Sequence, residues 1–345
     1  IFILLYCSSV VSFLKGKRRL RPTLPILILF GFFALFGYEL GVVILPLSVL
    51  FAFYFRKSAS WPRIAVVLAV SLILVAVYLL ARGQESAISE MTHLMLPPSA
   101  SSLDLVCSAP YYTLKHLGMA VYPAGQGGIL LVDDPRGGIV GELPYWILLG
   151  VLLIVAAWCV ERWQSRVALG LLFFVFAMTP LSNWLPLRNG PITNYYLLVP
   201  ICGLALALGV LLERCSSLSR SWRRVCMLFG AGLLALSASS GAYRASWWSS
   251  QHSIYEFTVK NHPDNWLAWN NWGVALVVRG ENDAALEAFN KSADLADWFV
   301  APIENQMWLL LRSGRSSEVV ELAANRGERF SPSLAAAVAI AYTME

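Results

Sequence analysis

"LPILILFGFFALFGYELGVVILPLSVLFAFYF", Leu24 to Phe55, is 32 residues long and apolar almost throughout. A membrane-spanning helix needs about 20 apolar residues, with a range of roughly 17 to 25, so the stretch is too long for one crossing. Its centre, "FGYELG" at Phe36 to Gly41, carries two glycines and one carboxylate. Both flanks are basic: "KGKRRLR" at Lys15 to Arg21 precedes it and "RKSASWPR" at Arg56 to Arg63 follows. Short loops rich in Lys and Arg stay cytoplasmic. Two basic flanks require an even number of crossings, and the spacing predicts two short legs turning at FGYELG. Each leg of about 16 residues rises about 24 Å, a shortfall that tilted neighbours and local thinning absorb. Glu39 is therefore expected near the outer surface.

The same alternation extends along the chain. Hydrophobic residues make up 57% of it, charged residues 14%, and mean hydropathy is +0.61, against about 25% charged residues in soluble domains. That composition is a membrane protein's. The net charge of +5 sits in short runs between apolar segments, which reads as cytoplasmic anchoring and excludes a nucleic-acid surface. Further spans are expected at Ile64 to Ala81, Tyr145 to Val160, Val167 to Leu185, Tyr195 to Leu212 and Val225 to Ala242, with Ile1 to Leu14 as the tail of another. With the doubled segment this makes an all-α domain of eight visible spans over residues 1–246. "ERWQSR" and the Glu213 to Arg224 loop then lie inside. Arg82 to Leu143 and Pro186 to Asn194 lie outside, as does everything after residue 246. Ile1 falls in mid-span and Glu345 inside a helical pattern, so both ends are expected to continue beyond this sequence.

The outer loop from Arg82 to Leu143 is about 60 residues long, and loops of that size tend to be functional. Within it "APYYTLKHLGMAVYP", Ala109 to Pro123, spaces Tyr112, His116, Met119 and Ala120 at helical intervals, predicting an amphipathic helix at the membrane interface. Asp133 and Asp134 are adjacent and point to opposite faces of an extended segment, a poor geometry for a shared metal; a turn is expected. His93, His116, His252 and His262 are scattered and read as surface or interface residues. Cys7, Cys159, Cys202 and Cys226 fall in spans, Cys215 in a basic loop and Cys107 alone in the outer loop, a distribution without a disulfide or zinc pattern.

Residues 247–345 have a different character. "NNWGVALVVRGENDAALEAFNKS", Asn270 to Ser292, is a water-soluble helical hairpin with the size pattern of a tetratricopeptide repeat, whose period is 34 residues. With Trp266 as position 1, Trp269 falls at 4, Gly273 at 8, Gly280 at 15, Ala285 at 20 and Phe289 at 24. Small residues stand where the helices cross and large ones where they pack. Gly314 follows Gly280 by 34 residues, and "SGRSSEVVELAANRG" copies "RGENDAALEAFNKSA" in pattern. "SPSLAAAVAIAYTME" would open a third unit. Such pairs stack into a solenoid whose concave face binds extended peptides or partner proteins.

Taken together, these stretches resemble the membrane-embedded O-glycosyltransferases of the GT-C superfold that carry lumenal or periplasmic tetratricopeptide repeats, and their bacterial relatives. "FALFGYELGVVILPLSVLFAFYF" is similar to the family's two short spans joined by small residues, a Lys-Glu pair and a proline. "YYTLKHLGMAVYP" is similar to its tyrosine-rich interfacial helix, and "TPLSNWLPLRNGPITNYYLLVP" to its Ser-Asn turn, outer loop and Arg-Tyr-Leu-x-x-Pro re-entry. "YRASWWSSQHSIYEFTVKNHPDNWLAWNNWGVAL" is similar to the junction between its last span and first repeat. The resemblance runs from about Leu24 to Phe289. It implies transfer of a sugar from a polyprenyl-phosphate carrier to protein hydroxyls outside the membrane, with the repeats engaging the acceptor protein. It implies a location in a bacterial inner membrane with a periplasmic repeat domain. The family's main carboxylate belongs to an outer loop before Ile1, leaving Glu39 as the catalytic candidate here. Arg188, Tyr195 and Tyr196 become substrate-binding candidates, and a divalent cation is the one cofactor to consider. Two cations of the family pattern are absent: Tyr38 precedes Glu39 where the family has Lys, and Thr193 and Asn194 stand where it has an acidic residue and Arg. Either Arg188 substitutes, or catalysis has been lost and the chain is a membrane scaffold whose spans pack on other membrane subunits and whose repeats hold a partner outside.

Overall fold

The computed structural model describes residues 1–17, 19–37, 39–82, 102–121, 129–130, 138–163, 165–180, 182, 192–193, 197–215, 217–326 and 332–344. Its regular structure is helical apart from one two-residue antiparallel pairing. The membrane-like part contains α1 (Phe2–Leu14), α2 (Leu20–Gly37), α3 (Ile44–Phe55), α4 (Trp61–Arg82), α5 (Ser102–Cys107), α6 (Ala109–Val121), α7 (Gly138–Trp163), α8 (Arg166–Met178), α9 (Ile201–Cys215) and α10 (Arg220–Trp247). The remainder contains α11 (Gln251–Asn261), α12 (Trp266–Arg279), α13 (Asn282–Leu295), α14 (Ala301–Arg312), α15 (Ser316–Arg326) and α16 (Pro332–Met344). Among the described residues, three helical stretches are long and apolar enough to cross a membrane: Trp61–Ala81, Gly141–Arg162 and Arg220–Trp247. Shorter apolar helices cover Phe2–Leu14, Leu20–Leu35, Gly41–Phe55 and Arg166–Met178.

The doubled segment breaks where its glycines stand. α2 ends at Gly37, a 3-10 turn covers Glu39–Val43, and α3 begins at Ile44. Gly41 is packed so closely on α2 that a Cβ there would run into the Ala34 carbonyl and the Leu35 backbone. The direction of the two legs follows from their far ends: the Lys15 ammonium, at the end of α1, lies 5.8 Å from the Phe55 ring centre at the end of α3. α2 begins where α3 finishes, so the two run antiparallel. A buried hydrogen-bonded triad fixes α1 between α3 and α4, with the Tyr6 hydroxyl 2.8 Å from Ser71 Oγ and 3.3 Å from Ser48 Oγ. Around it pack Phe13, Leu27, Ile44, Leu47 and Val67, all buried.

Four basic turns meet at one end of this bundle. Arg63 reaches back from α4 to donate to the Phe13 carbonyl at 3.4 Å and lies over the Phe13 ring. Arg56 and Lys57, between α3 and α4, both pair with Glu161 at the end of α7. Arg166, at the start of α8, pairs with Glu213 near the end of α9 at 2.9 Å. Individually such half-exposed pairs contribute little, but together they place the turns after α1, α3, α7 and α9 at one level. α8 and α9 close on each other through Gly170 and Gly203, where a Cβ on either would meet the other helix's backbone.

α10 then runs 28 residues away from that end, about 42 Å at 1.5 Å per residue. Its Trp247 ring stacks on Phe257 of α11, centroids 3.3 Å apart. Beyond α11 the chain folds as antiparallel helix pairs. The Asn265 side chain caps α12 by accepting from the Ala268 N–H at 2.8 Å, and Trp269 Nε1–H donates to the Pro263 carbonyl at 2.9 Å. α12 and α13 interlock because Gly273 leaves room for the Phe289 ring; a Cβ at Gly273 would come within 2.5 to 3.0 Å of that ring. Ala285 and Phe289 are fully buried there beside Leu276 and Leu309, with Trp269 packed on their edge. Gly280 and Gly314 end α12 and follow α14 with positive φ angles of 80° and 70°, a left-handed conformation that glycine adopts without penalty.

Phe289 fills the space between α12, α13 and α14, so Phe289→Ala is expected to cost about 3 to 5 kcal/mol. Amide hydrogen exchange on the full-length chain should show faster exchange across Trp266–Leu295 and no change across α1 to α9.

Candidate functional site

The end of the bundle opposite the basic turns holds the short strand pair. Ile129 and Leu130 (β1) pair antiparallel with Thr193 and Ile192 (β2), tying the long outer loop to the shorter one between α8 and α9. Glu39 opens the 3-10 turn at this same end. Arg188, Tyr195 and Tyr196, with Tyr38, Asn194, His93, Asp133 and Asp134, lie outside the described residues. The predicted catalytic and substrate-binding candidates are therefore not brought together by anything described. Among the described residues no three His, Cys, Asp or Glu side chains group so as to hold a metal ion, and no described ligand set exists for a divalent cation.

A different group of polar residues collects here. α6 forms over Ala109–Val121, where the spacing of Tyr112, His116, Met119 and Ala120 predicted a helix. Its partner is not only a lipid surface. Tyr112 and Met119 pack on Phe174 and Met178 at the end of α8 and on Leu197, and Tyr111 meets Tyr145 of α7 edge-on at 5.0 Å between centroids. Trp146 Nε1–H donates to the Cys107 carbonyl of α5 at 2.8 Å. The expectation of a surface or interface role for His116 is thereby corrected: its exposure is 0%. An apolar face that faces other helices has the same periodicity as one that faces lipid, and the pattern alone does not separate them.

His116 Nδ1 lies 2.7 Å from the Tyr112 carbonyl oxygen. That oxygen only accepts, so Nδ1 carries the proton and Nε2 presents a lone pair. Nε2 is shielded from solvent and has no hydrogen-bond partner. Burial pushes the imidazole pKa down to about 4; the neighbouring Lys115 adds to that and the Tyr112 bond opposes it. The ring is therefore neutral at physiological pH. Ser182 stands one turn beyond Met178, its N–H donating to the Met178 carbonyl at 2.9 Å. It too is buried, and its Oγ has no partner. Glu142, on the first turns of α7 just before Tyr145, is 2% exposed. A buried polar atom left unmatched costs about 1 to 3 kcal/mol, and His116 Nε2 and Ser182 Oγ are two such atoms.

An apolar groove of about 100 Å3 lies between α6, α7, α8 and α9. Leu114, Leu117, Leu152, Leu171 and Phe174 line it, and Thr113 is its one polar side chain; the Thr113 hydroxyl donates to the Ala109 carbonyl at 2.9 Å. Neither His116 nor Ser182 lines this groove. Ser182 is the serine of the family-like Ser-Asn turn in "TPLSNW", though it was not singled out as a site residue, and Glu142 was not singled out at all; a carboxylate three residues ahead of Tyr145 in an otherwise apolar helix start, "GELPYW", was the one available signal for Glu142. No family model matches the chain, and no curated protein or solved structure matches it.

The depressed pKa has a stability consequence. In the unfolded chain the imidazole takes up its proton near 6.5, while in the fold it does so only near 4. Stability linked to the neutral ring is complete above pH 6.5 and is lost as pH falls from 6.5 through 4. His116→Gln should flatten that part of the pH profile of thermal unfolding, followed by tryptophan fluorescence, relative to wild type.

Proposed function

We propose that this chain is a membrane glycosyltransferase of the GT-C type, which moves a sugar from a polyprenyl-phosphate carrier to protein hydroxyls outside the membrane. The observation that supports the reading best is the set of apolar helices, three of them among the described residues long enough to cross a membrane, whose basic turns gather at one end. Such a frame suits an enzyme whose carrier stays in hydrocarbon while its head reacts at the membrane surface. In this reading α1, α2, α3, α4, α7, α8, α9 and α10 make eight passes. The basic turns face the cytoplasm, and the helix pairs after residue 246 form a tetratricopeptide solenoid on the periplasmic side of a bacterial inner membrane. The repeats hold an extended acceptor chain near the bilayer. Glu39 orients the acceptor or a cation, Arg188 holds the departing phosphate, and Tyr195 and Tyr196 border the same loop.

A second reading has its own support. The apolar stretch of α10 is only 6% buried within the chain, and side chains such as Leu228, Phe229 and Leu234 are exposed along it. A scaffold whose spans pack on other membrane subunits would cover such a face, and the two absent family cations favour it.

The test is transfer by the full-length protein in lipid nanodiscs, given radiolabelled polyprenyl-phosphate sugars and an acceptor polypeptide. Wild type should transfer label. Arg188→Ala should lose about 10²- to 10³-fold in rate, the scale for removing a charge-stabilising donor, and Glu39→Gln about 10²-fold or more. No transfer by wild type with any carrier, together with a stable complex with other membrane subunits, would replace the enzyme reading by the scaffold.

A further inference from the structure

The hairpin between α9 and α10 brings together two thiols that the sequence sets apart, one in a basic loop and one in a span. Cys215 is the last residue of α9, and Cys226 lies in the second turn of α10. The connection between them is tight: the Ser217 N–H donates to the Arg214 carbonyl, the Leu218 N–H to the Cys215 carbonyl, both at 3.2 Å, and the Arg223 N–H to the Ser219 carbonyl at 2.9 Å. One turn further into each helix, Leu212 of α9 sits against Gly230 of α10, where a Cβ would come within 3.3 Å of it. That register sets Cys215 opposite Cys226, and the two side chains are hydrogen-bonded to each other. Both thiols are free and half-buried. We propose that Cys215 and Cys226 form a reactive dithiol site that is oxidised by glutathione disulfide, closing a covalent staple between α9 and α10.

The surroundings select that chemistry. Among the described residues no third ligand joins the pair to make a metal site, and Glu213 is engaged with Arg166. Arg214, Arg220, Arg223 and Arg224 stand exposed around the thiols, and such a field draws in an anionic peptide disulfide. The two sulfurs have different roles. Cys215 ends its helix, where the dipole opposes a thiolate, and its hydrogen bond to Cys226 is the chief cause that holds its thiol above the ordinary range. Cys226, one turn after Arg223, is therefore the attacking thiol. Its thiolate displaces one glutathione thiolate from the disulfide and leaves a mixed disulfide on Cys226. The Cys215 thiolate then attacks the Cys226 sulfur and expels the second glutathione. Two electrons pass from the protein sulfurs to glutathione, and the two thiol protons end on the two glutathione molecules. The staple matters because the apolar stretch of α10 is only 6% buried within the chain, so the bond pins the helix that leads to α11 and the helix pairs. In the proposed orientation this end faces the cytoplasm, where such a disulfide is transient and acts as a switch. The inference goes beyond the transfer reading and holds equally for a scaffold.

The test reads the bond itself. Full-length protein in nanodiscs, reduced and freed of reductant, is incubated with glutathione disulfide, quenched with N-ethylmaleimide and digested with trypsin. Mass spectrometry should find the peptides Cys215–Arg220 and Val225–Arg244 joined, without maleimide, while Cys7, Cys107, Cys159 and Cys202 carry it. Return to reduced glutathione should release the two peptides. Cys215→Ser should lose the link and trap glutathione on Cys226, since no second thiol remains to expel it. Cys226→Ser should lose the link and take up about 10-fold less glutathione in the same time, the attacking thiol being gone. Maleimide on both Cys215 and Cys226 after the incubation, or a glutathione adduct that persists in wild type, overturns the proposal. So does equal trapping of glutathione in the two variants, the behaviour of two independent surface thiols.

Discussion

In the proposed membrane reading, the fold depends on the cost of carrying charge through hydrocarbon. An Arg or Lys at the centre of a bilayer costs about 2.5 to 3.5 kcal/mol on insertion scales, and this chain spaces its basic runs so that none needs to be there. Arg63 against Phe13, Arg56 and Lys57 against Glu161, and Arg166 against Glu213 all lie at one end of the bundle. Once those turns share a level, the apolar segments between them have to leave and return. The 3-10 turn at Glu39–Val43 is the consequence with the least freedom, since antiparallel legs as short as α2 and α3 allow only a tight reversal, and Gly41 lets that reversal lie flat on α2.

What the basic end fixes, the opposite end uses. There the helix ends are not held by ion pairs but by packing: α6 folds over the end of α8 through Tyr112, Met119 and Met178, and two outer loops meet as β1 and β2. Polar side chains drawn under α6 lose their water and receive no full replacement within the chain. His116 and Ser182 bear that cost.

Much of this architecture is legible in the sequence because it follows from charge and length. The break at FGYELG follows from an apolar run too long for one crossing between two basic flanks. The pairing of Gly273 with Phe289 and the left-handed Gly280 and Gly314 sit where a 34-residue period puts them. The site was less legible. α6 was readable as a helix, but its periodicity is the same whether the apolar face meets lipid or protein, so the burial of His116 was misjudged. Cys107 read as part of a polar loop, yet it closes α5 and is buried. Ser182 lies in the quoted Ser-Asn turn and Glu142 carries no local pattern; the burial of both is a tertiary outcome that their local sequence does not announce. Glu39 is placed by its backbone, whereas Arg188, Tyr195 and Tyr196 lie outside the described residues.

The claim on which the rest stands is that the basic turns face one side of the membrane while the long outer loop and the helix pairs face the other. Single cysteines introduced after Gly280 and into the turn at Ser58, in a chain whose native cysteines are replaced by alanine or serine, report this directly in sealed vesicles of known orientation. A membrane-impermeant maleimide added from the non-cytoplasmic side should label the Gly280 position and leave the Ser58 position untouched until the vesicles are opened. Labelling of Ser58 from that side, or protection of Gly280, would contradict the account.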